Sequence, residues 1–408
     1  MWLSKDYLRK KGIYSVCSSN PWVIEAAIEF AKEKGSYILI EATPHQVNQF
    51  GGYSGMTPED FKNFVYKIAK EKGLEENKII LGGDHLGPLP WQHEPSPEAM
   101  AKAKDLIRAF VESGYKKIHI DCSMPCAGDP AVLPQEKIAE RTRELCEIAE
   151  ETARKYNFQP VYVVGTDVPI AGGGEEEGVT SPEDFRKAIS SFKKYFNDHG
   201  NIWDRVVGFV IMLGIGFSYD KVFEYDRDKA REILEEVKRT DLFVEGHSTD
   251  YQARDALRNM VEDGVRILKV GPALTAAFRR AVFLLSNIED EIIPERQRSN
   301  IKEVILETML RDDRYWRKYY KDSKNLELDI HYSLLDRIRY YWNHEDVKMV
   351  LEKLFENFSE GIDWKFIYQY FYDSYRDVRE GKMKNDPREL IKKEIKRVLE
   401  DYHYAINL

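Results

Sequence analysis

The first two-thirds of the chain alternate between two textures. Short β-branched or wholly apolar runs, the signature of strands buried on both faces, are separated by longer stretches in which apolar residues recur at helical spacing. The runs predict strands at 13–18, 37–42, 78–83, 117–122, 161–165, 206–213, 242–246 and 266–270. Amphipathic helices are predicted between them at 20–34, 57–72, 96–113 and 134–156. Helix starts are marked by Thr57-Pro58-Glu59-Asp60, Ser96-Pro97-Glu98 and Ser181-Pro182-Glu183-Asp184, each with a hydroxyl cap, a first-turn proline and early acids. Strands that alternate with helices make a parallel sheet, and eight such units close into an α/β TIM (β/α)8 barrel. A doubly wound open sheet would show fewer repeats.

Beyond the helix predicted at 273–287 the texture changes. No strand signal recurs after about 294, and segments 299–309, 345–357 and 387–402 read as helices. The division expected is a barrel carrying the site over 1–290 and a helical C-terminal extension over 291–408. Aromatics crowd this extension at Tyr315-Trp316, Tyr319-Tyr320, Tyr340-Tyr341-Trp342 and 368–375. Packing onto the barrel is the expected use; an oligomer interface or a lid is the other.

Composition narrows the function classes. A formal net charge of -9 with dispersed basic residues argues against a nucleic-acid footprint. The longest apolar run, 206–217, is too short and glycine-broken to span a bilayer, and the charged N-terminus does not resemble a signal peptide. Four cysteines without metal-knuckle spacing fit a reduced cytoplasm, and the Glu and Lys richness leans toward a thermophilic source.

Chemistry in such a barrel gathers where the strands end. The third run closes on Gly82-Gly83-Asp84-His85-Leu86-Gly87-Pro88, with an acid beside an imidazole. Strand alternation puts His119 and Asp121 on one face, and likewise Glu245 and His247. Glu41, Asp167 and Lys269 stand at or near the ends of strands two, five and eight. So many ionisable groups at one rim must pair, bind a metal or bind a polar substrate, because each buried unpaired would cost several kcal/mol. His85 and His247 with Glu41, Asp121 and Asp167 suit a mixed nitrogen and oxygen site for a divalent ion, with zinc, manganese, nickel or cobalt left open. His119, deeper in its strand, would orient Asp121. Lys269 could serve as a Schiff-base nucleophile, a phosphate clamp or an ion-pair partner. Gln46, Asn48, Ser248, Asp250 and Lys269 are the candidate substrate-binding side chains, and Gly172-Gly173-Gly174 suits a pliant loop over the site. No glycine cluster follows a Walker or dinucleotide-binding pattern, which disfavours a kinase or a nicotinamide enzyme.

Several longer motifs carry a resemblance: Glu41-Ala42-Thr43 into Gln46-Val47-Asn48-Gln49-Phe50-Gly51-Gly52-Tyr53, Leu81 to Pro88, Cys126-Ala127-Gly128-Asp129-Pro130, His247 to Gln252, Leu268 to Leu274, and Asp336-Arg337-Ile338-Arg339-Tyr340-Tyr341-Trp342. They resemble the Z-type, so-called non-catalytic, subunit of class II tagatose-1,6-bisphosphate aldolase, once labelled tagatose-6-phosphate kinase. The resemblance spans nearly the whole chain and implies a TIM barrel with a helical appendage. Some family members stabilise and activate a separate catalytic aldolase subunit; others, notably thermophilic ones, act alone as metal-dependent tagatose 4-epimerases. Pro88-Leu89-Pro90-Trp91 and the apolar Ile211-Met212-Leu213-Gly214-Ile215-Gly216-Phe217 depart from the more polar forms associated with aldolase partners, and both are expected at the rim.

The expectation is therefore a metal-dependent ketohexose 4-epimerase interconverting D-fructose and D-tagatose. The C4 hydroxyl of a 2-ketose is β to the carbonyl, so deprotonating it permits C3–C4 cleavage, and re-forming the bond after rotation inverts C4. His85, His247 and Asp121 are assigned as metal ligands. Asp84 becomes the proton carrier at the C4 hydroxyl, by analogy with class II aldolases in which an acid precedes a metal-binding histidine. Glu41 and Asp167 are second proton carriers or alternative ligands. The alternative is an accessory subunit that stabilises and activates a catalytic aldolase. Direct cleavage of the bisphosphate ranks behind both, and homo-oligomerisation is left open.

Overall fold

The computed structural model describes residues 3–166, 178–197, 200–321 and 323–407. Eight strands form one closed parallel barrel: β1 (Ile13–Cys17), β2 (Ile38–Ala42), β3 (Ile79–Leu86), β4 (Lys117–Ile120), β5 (Val161–Gly165), β6 (Val206–Val210), β7 (Phe243–Gly246) and β8 (Val265–Val270). Each pairs with its neighbours in chain order, and β8 pairs with β1 to complete the ring. All eight predicted strands exist, with most ends within one or two residues of expectation and two shifted by three. β6 stops at Val210, and β3 runs on to Leu86, so Asp84 and His85 lie within it rather than after it. The β3–β4 register slips between Gly83 and Leu86, and His85 takes φ 52°. A non-glycine residue in that left-handed region costs about 1–3 kcal/mol, so the site is built on backbone held by its surroundings.

Two apolar clusters hold the barrel. One fills its floor with Leu39, Ile80, Val163, Val207 and Ile267, sealed from below by Leu3 and Leu8 of the short N-terminal helix segment. The other lies between the strands and the surrounding helices and continues into the extension. Thr57 makes the reciprocal capping box with Asp60, and Ser181 caps its helix through the Asp184 amide. Ser96 departs from its expected role: it stands inside its helix, with Pro95 at the cap, and its hydroxyl accepts from Arg141 Nη2 instead.

The extension does two jobs. Its final helix, Pro387–Ile406, packs along the barrel's outer helices: Lys392 Nζ sits 2.8 Å from Glu29, and Tyr402 donates to the Thr249 carbonyl at 2.7 Å. The segment around residues 312–343 instead turns over the mouth of the barrel. It is pinned there by the buried Arg279–Asp336 pair (2.8 Å) and by Tyr251 donating to the Leu334 carbonyl (2.6 Å). Tyr340 stacks on Tyr315 with ring centroids 4.6 Å apart and meets Tyr53 of the β2 loop at 4.7 Å. The aromatic crowding thus separates into packing (Trp342 against Phe278, 4.7 Å) and a roof over the mouth.

Candidate functional site at the barrel mouth

Inward-facing strand residues meet in layers across a barrel of this size. Here one layer is ionic. Lys117, at the start of β4, has no exposed surface, and its ammonium lies 2.6 Å from Glu41 of β2 and 2.6 Å from Glu245 of β7. Lys269 of β8 bridges Glu41 and Asp84 (2.7 Å to Asp84), and Ser15 of β1 donates to Glu41 at 2.5 Å. Room for Glu41 depends on Gly82, where a Cβ would stand 2.5 Å from Glu41 Oε1. Three carboxylates against two ammonium groups leave this layer one negative charge in excess, which favours a cation directly above it.

Above it stand three imidazoles. The ring centroids of His85, His119 and His247 are 4.8, 4.7 and 5.0 Å apart in their three pairs. Donor atoms of these histidines and Asp84 lie within 4.8 Å of one another. His247 Nε2 lies 3.0 Å from Glu245, which fixes the ring. His119 Nδ1 lies 2.9 Å from Asp84, to which it donates when Nε2 is the free lone pair, and 3.1 Å from the His85 amide nitrogen. The Nε2 atoms of His85 and His119 are buried without a hydrogen-bond partner.

Electrostatics sort the groups. Burial, only partly opposed by Glu245, pushes His247 down to about 3, and burial also lowers His119, so both imidazoles are neutral lone-pair donors. For His85, burial works downward but the adjacent Asp84 carboxylate outweighs it and raises the pKa. Burial would raise Asp84, yet His85 and Lys269 hold it well below the usual carboxylate range. Lys269 is held well above its ordinary value because its carboxylate neighbours outweigh its burial, and so it stands as an ammonium ion-pair partner, the third of its expected roles.

A cavity of about 580 Å³ opens onto this cluster, and Asp84, His85, Asp121, His247 and Lys269 line it. Gln46, Asn48, Ser248 and Asp250 line it too. Asn48 spends its amide inside its own loop, on the Pro44 carbonyl and the Phe50 and Gly52 amides. Gln46 Oε1 accepts from the Thr43 amide, and Asp250 accepts from the Gly271 and Ala273 amides. Asp121 stands at the rim with Oδ1 bound by the Ser123 amide (2.9 Å) and hydroxyl (2.7 Å), outside the imidazole cluster. His119 does not orient Asp121: its contacts go to Asp84 and His85, and it is the third histidine of the cluster. Asp167 and the Gly172-Gly173-Gly174 loop lie outside the described residues.

Sequence reasoning missed Lys117, which reads as the solvated edge of Lys116-Lys117; its shared parity with His119 was the available signal. It named Arg339 and Tyr340 in a motif and an aromatic cluster but did not assign them to the mouth, which they reach from the extension. Of the two motif departures expected at the rim, Leu89 and Pro90 line the cavity, whereas Ile211, Leu213 and Ile215 are packed into the apolar core and Phe217, at the end of the second motif, lines the cavity.

A closed ring of eight parallel strands with a polar cluster at their carboxyl ends is a TIM barrel carrying its site on the usual face. The chain belongs to the D-tagatose-1,6-bisphosphate aldolase subunit GatZ/KbaZ-like family, whose model matches residues 3–407. It is 43% identical over 403 residues to the D-tagatose-1,6-bisphosphate aldolase subunit GatZ of Salmonella heidelberg, covering 97% of this chain and 95% of the relative. The Klebsiella pneumoniae protein of the same name is 43% identical over 403 residues, with the same shares covered. A solved structure from Sinorhizobium meliloti, described as a probable tagatose 6 phosphate kinase, superposes with a TM-score of 0.89 at 40% identity, covering 97% of this chain and 100% of that one. These relatives overturn the expectation of a free-standing fructose and tagatose 4-epimerase and favour the subunit reading. Most of the apolar strand-six motif that set this chain apart from aldolase partners sits in the core, with Phe217 at its end reaching the cavity. Among the described residues no helix is long and apolar enough to cross a membrane.

Proposed function

We propose that the chain is the Z-type subunit of a D-tagatose-1,6-bisphosphate aldolase, acting with a catalytic partner subunit, and that its own barrel mouth binds a divalent metal and a ketose phosphate. The observation that carries the first part is 43% identity across 97% of the chain to a protein named as that subunit.

The metal part rests on the donor set. Two buried imidazole nitrogens lack a partner, and a third ring is fixed by a carboxylate behind it, as metal-ligating histidines commonly are. His85, His119 and His247 would hold the ion; when bound, it would polarise a sugar carbonyl as a Lewis acid. Asp84, ionised and beside this cluster, would accept a hydrogen bond or a proton from a sugar hydroxyl. Lys269 would keep Asp84 ionised, and Lys117 would keep Glu41 and Glu245 from repelling one another. The tyrosine roof would exclude water from one side of the cavity.

Reconstitution tests the reading. The purified chain alone should release no triose phosphate from D-tagatose 1,6-bisphosphate. Mixed with a class II catalytic subunit, it should co-elute and raise that subunit's activity. Independent elution with unchanged activity would refute it.

A further inference from the structure

Apart from Lys269, which is spent on Glu41 and Asp84, the charged side chains of opposite sign lining the cavity differ in origin. The acids, Asp84, Asp121 and Asp250, come from the barrel, whereas Arg314, Lys318, Arg337 and Arg339 come from the extension. Two of these cations are already engaged. Arg314 pairs with Asp312 at 2.6 Å, and the Arg337 guanidinium lies 3.3 Å over the Tyr319 ring.

Arg339 is different. Half-buried beneath the roof, it directs Nη1 to the Leu335 and Asp336 carbonyls and Nη2 to the Tyr340 hydroxyl (3.1 Å). These acceptors are neutral, and no carboxylate lies within ion-pair distance of Arg339 among the described residues. Asp336, the nearest acid in sequence, is spent on Arg279 and Thr275. A partly desolvated guanidinium whose direct contacts are all neutral keeps a charge that no ion pair neutralises, which an anion would stabilise. Lys318 stands exposed on the same wall, also without an ion-pair partner among the described residues.

The usual anion cradle of such barrels is closed in this chain. Phosphate commonly sits at the backbone amides after strands seven and eight. Here the Asp250 carboxylate occupies that place, accepting from the Gly271 amide at 2.9 Å and the Ala273 amide at 2.8 Å, at the start of helix Pro272–Ile292. An anionic substrate entering the mouth must find its counter-charge elsewhere, and the extension offers it.

We propose that Arg339 and Lys318 of the C-terminal extension form the phosphate subsite of the cavity, seating the phosphate of a phosphorylated ketohexose whose sugar end faces the imidazole cluster. This deepens the subunit reading by naming the part of the molecule that selects phosphorylated over neutral sugars.

The test is calorimetric titration of the isolated full chain with inorganic phosphate, D-fructose 6-phosphate and D-fructose. The wild type should bind inorganic phosphate and prefer the phosphorylated sugar to the neutral one by about tenfold or more. Lys318→Glu, a change at an exposed side chain, should cut phosphate affinity about tenfold and shrink the preference. Arg339→Met should abolish the preference, and Arg339→Lys should restore part of it. Equal binding of the two sugars by the wild type would overturn the proposal, as would a preference that survives Lys318→Glu. Should the Arg339 variants fail to fold, Lys318→Glu alone decides. No partner subunit is present, so failed activation of an aldolase leaves this result standing, and a lost phosphate preference leaves the subunit reading standing.

Discussion

Lys117→Met tests the ionic layer beneath the imidazoles. The Lys117 ammonium lies 2.6 Å from Glu41 and 2.6 Å from Glu245, and all three side chains have no exposed surface. At an effective dielectric of about 20 each contact is worth about 6 kcal/mol of Coulomb attraction, most of it offset by desolvation. Removing the lysine restores none of that hydration and leaves two carboxylates facing an apolar side chain. Glu41 retains Ser15 and Lys269, and Glu245 retains His247, so the expected loss is that of breaking one buried network, about 3–5 kcal/mol. The assay is urea unfolding followed by circular dichroism at several pH values. In the wild type, Lys117 and Lys269 outweigh burial and hold Glu245 well below its ordinary 4.5. A depressed carboxylate pKa gives stability that is present above the unfolded value and lost as pH falls. The gap between wild type and variant should therefore be full at neutral pH and narrow below about pH 5. Adding Glu245→Gln to Lys117→Met should recover part of the loss. A loss under about 1 kcal/mol at neutral pH, or one independent of pH, would refute the reasoning.

Three further outcomes follow from the same geometry. Gly82→Ala forces a methyl to 2.5 Å from Glu41 Oε1 and should cost about 1–3 kcal/mol in urea unfolding; a neutral result would mean that Glu41 is not confined there. Asp250, pushed by burial from 3.8 up to about 6 despite its two amide donors, binds more protons folded than unfolded between those values. Wild-type stability should then fall as pH rises through that window, and Asp250→Asn should gain about 2–3 kcal/mol relative to wild type from pH 4 to pH 7; a constant difference would contradict this. Asp336→Ala leaves Arg279 buried without its carboxylate and should loosen the roof, seen as faster hydrogen exchange across 333–343 with the barrel strands still protected. Unchanged exchange would place the roof's anchorage elsewhere.

The barrel was legible because its strands are buried on both faces and its helices on one, so the two periods alternate without ambiguity. The end of β3 was not, because Asp84 and His85 interrupt the apolar run while strand pairing resumes at Leu86 after a register slip and the left-handed turn at His85. For the site, alternation within one strand paired Glu245 with His247, which lie 3.0 Å apart, but it carries no information about depth. Depth decides that His119 meets Asp84 and that Asp121 stays at the rim with Ser123. Lys117 escaped because a lysine beside another lysine reads as solvated, and only its two cross-barrel carboxylates make it interior. The roof was hidden for a different reason. Tyr340 meets Tyr53 across nearly the whole chain, and no local pattern announces a contact of that range.

Metal binding measured by inductively coupled plasma mass spectrometry, on wild type, His119→Ala and Asp121→Asn, bears most directly on the central claim that three imidazoles over an ionic layer form a divalent centre. The account predicts one ion per chain in the wild type, its loss in His119→Ala and its retention in Asp121→Asn. Retention without His119 together with loss in Asp121→Asn would contradict it and return the carboxylate to the ligand set.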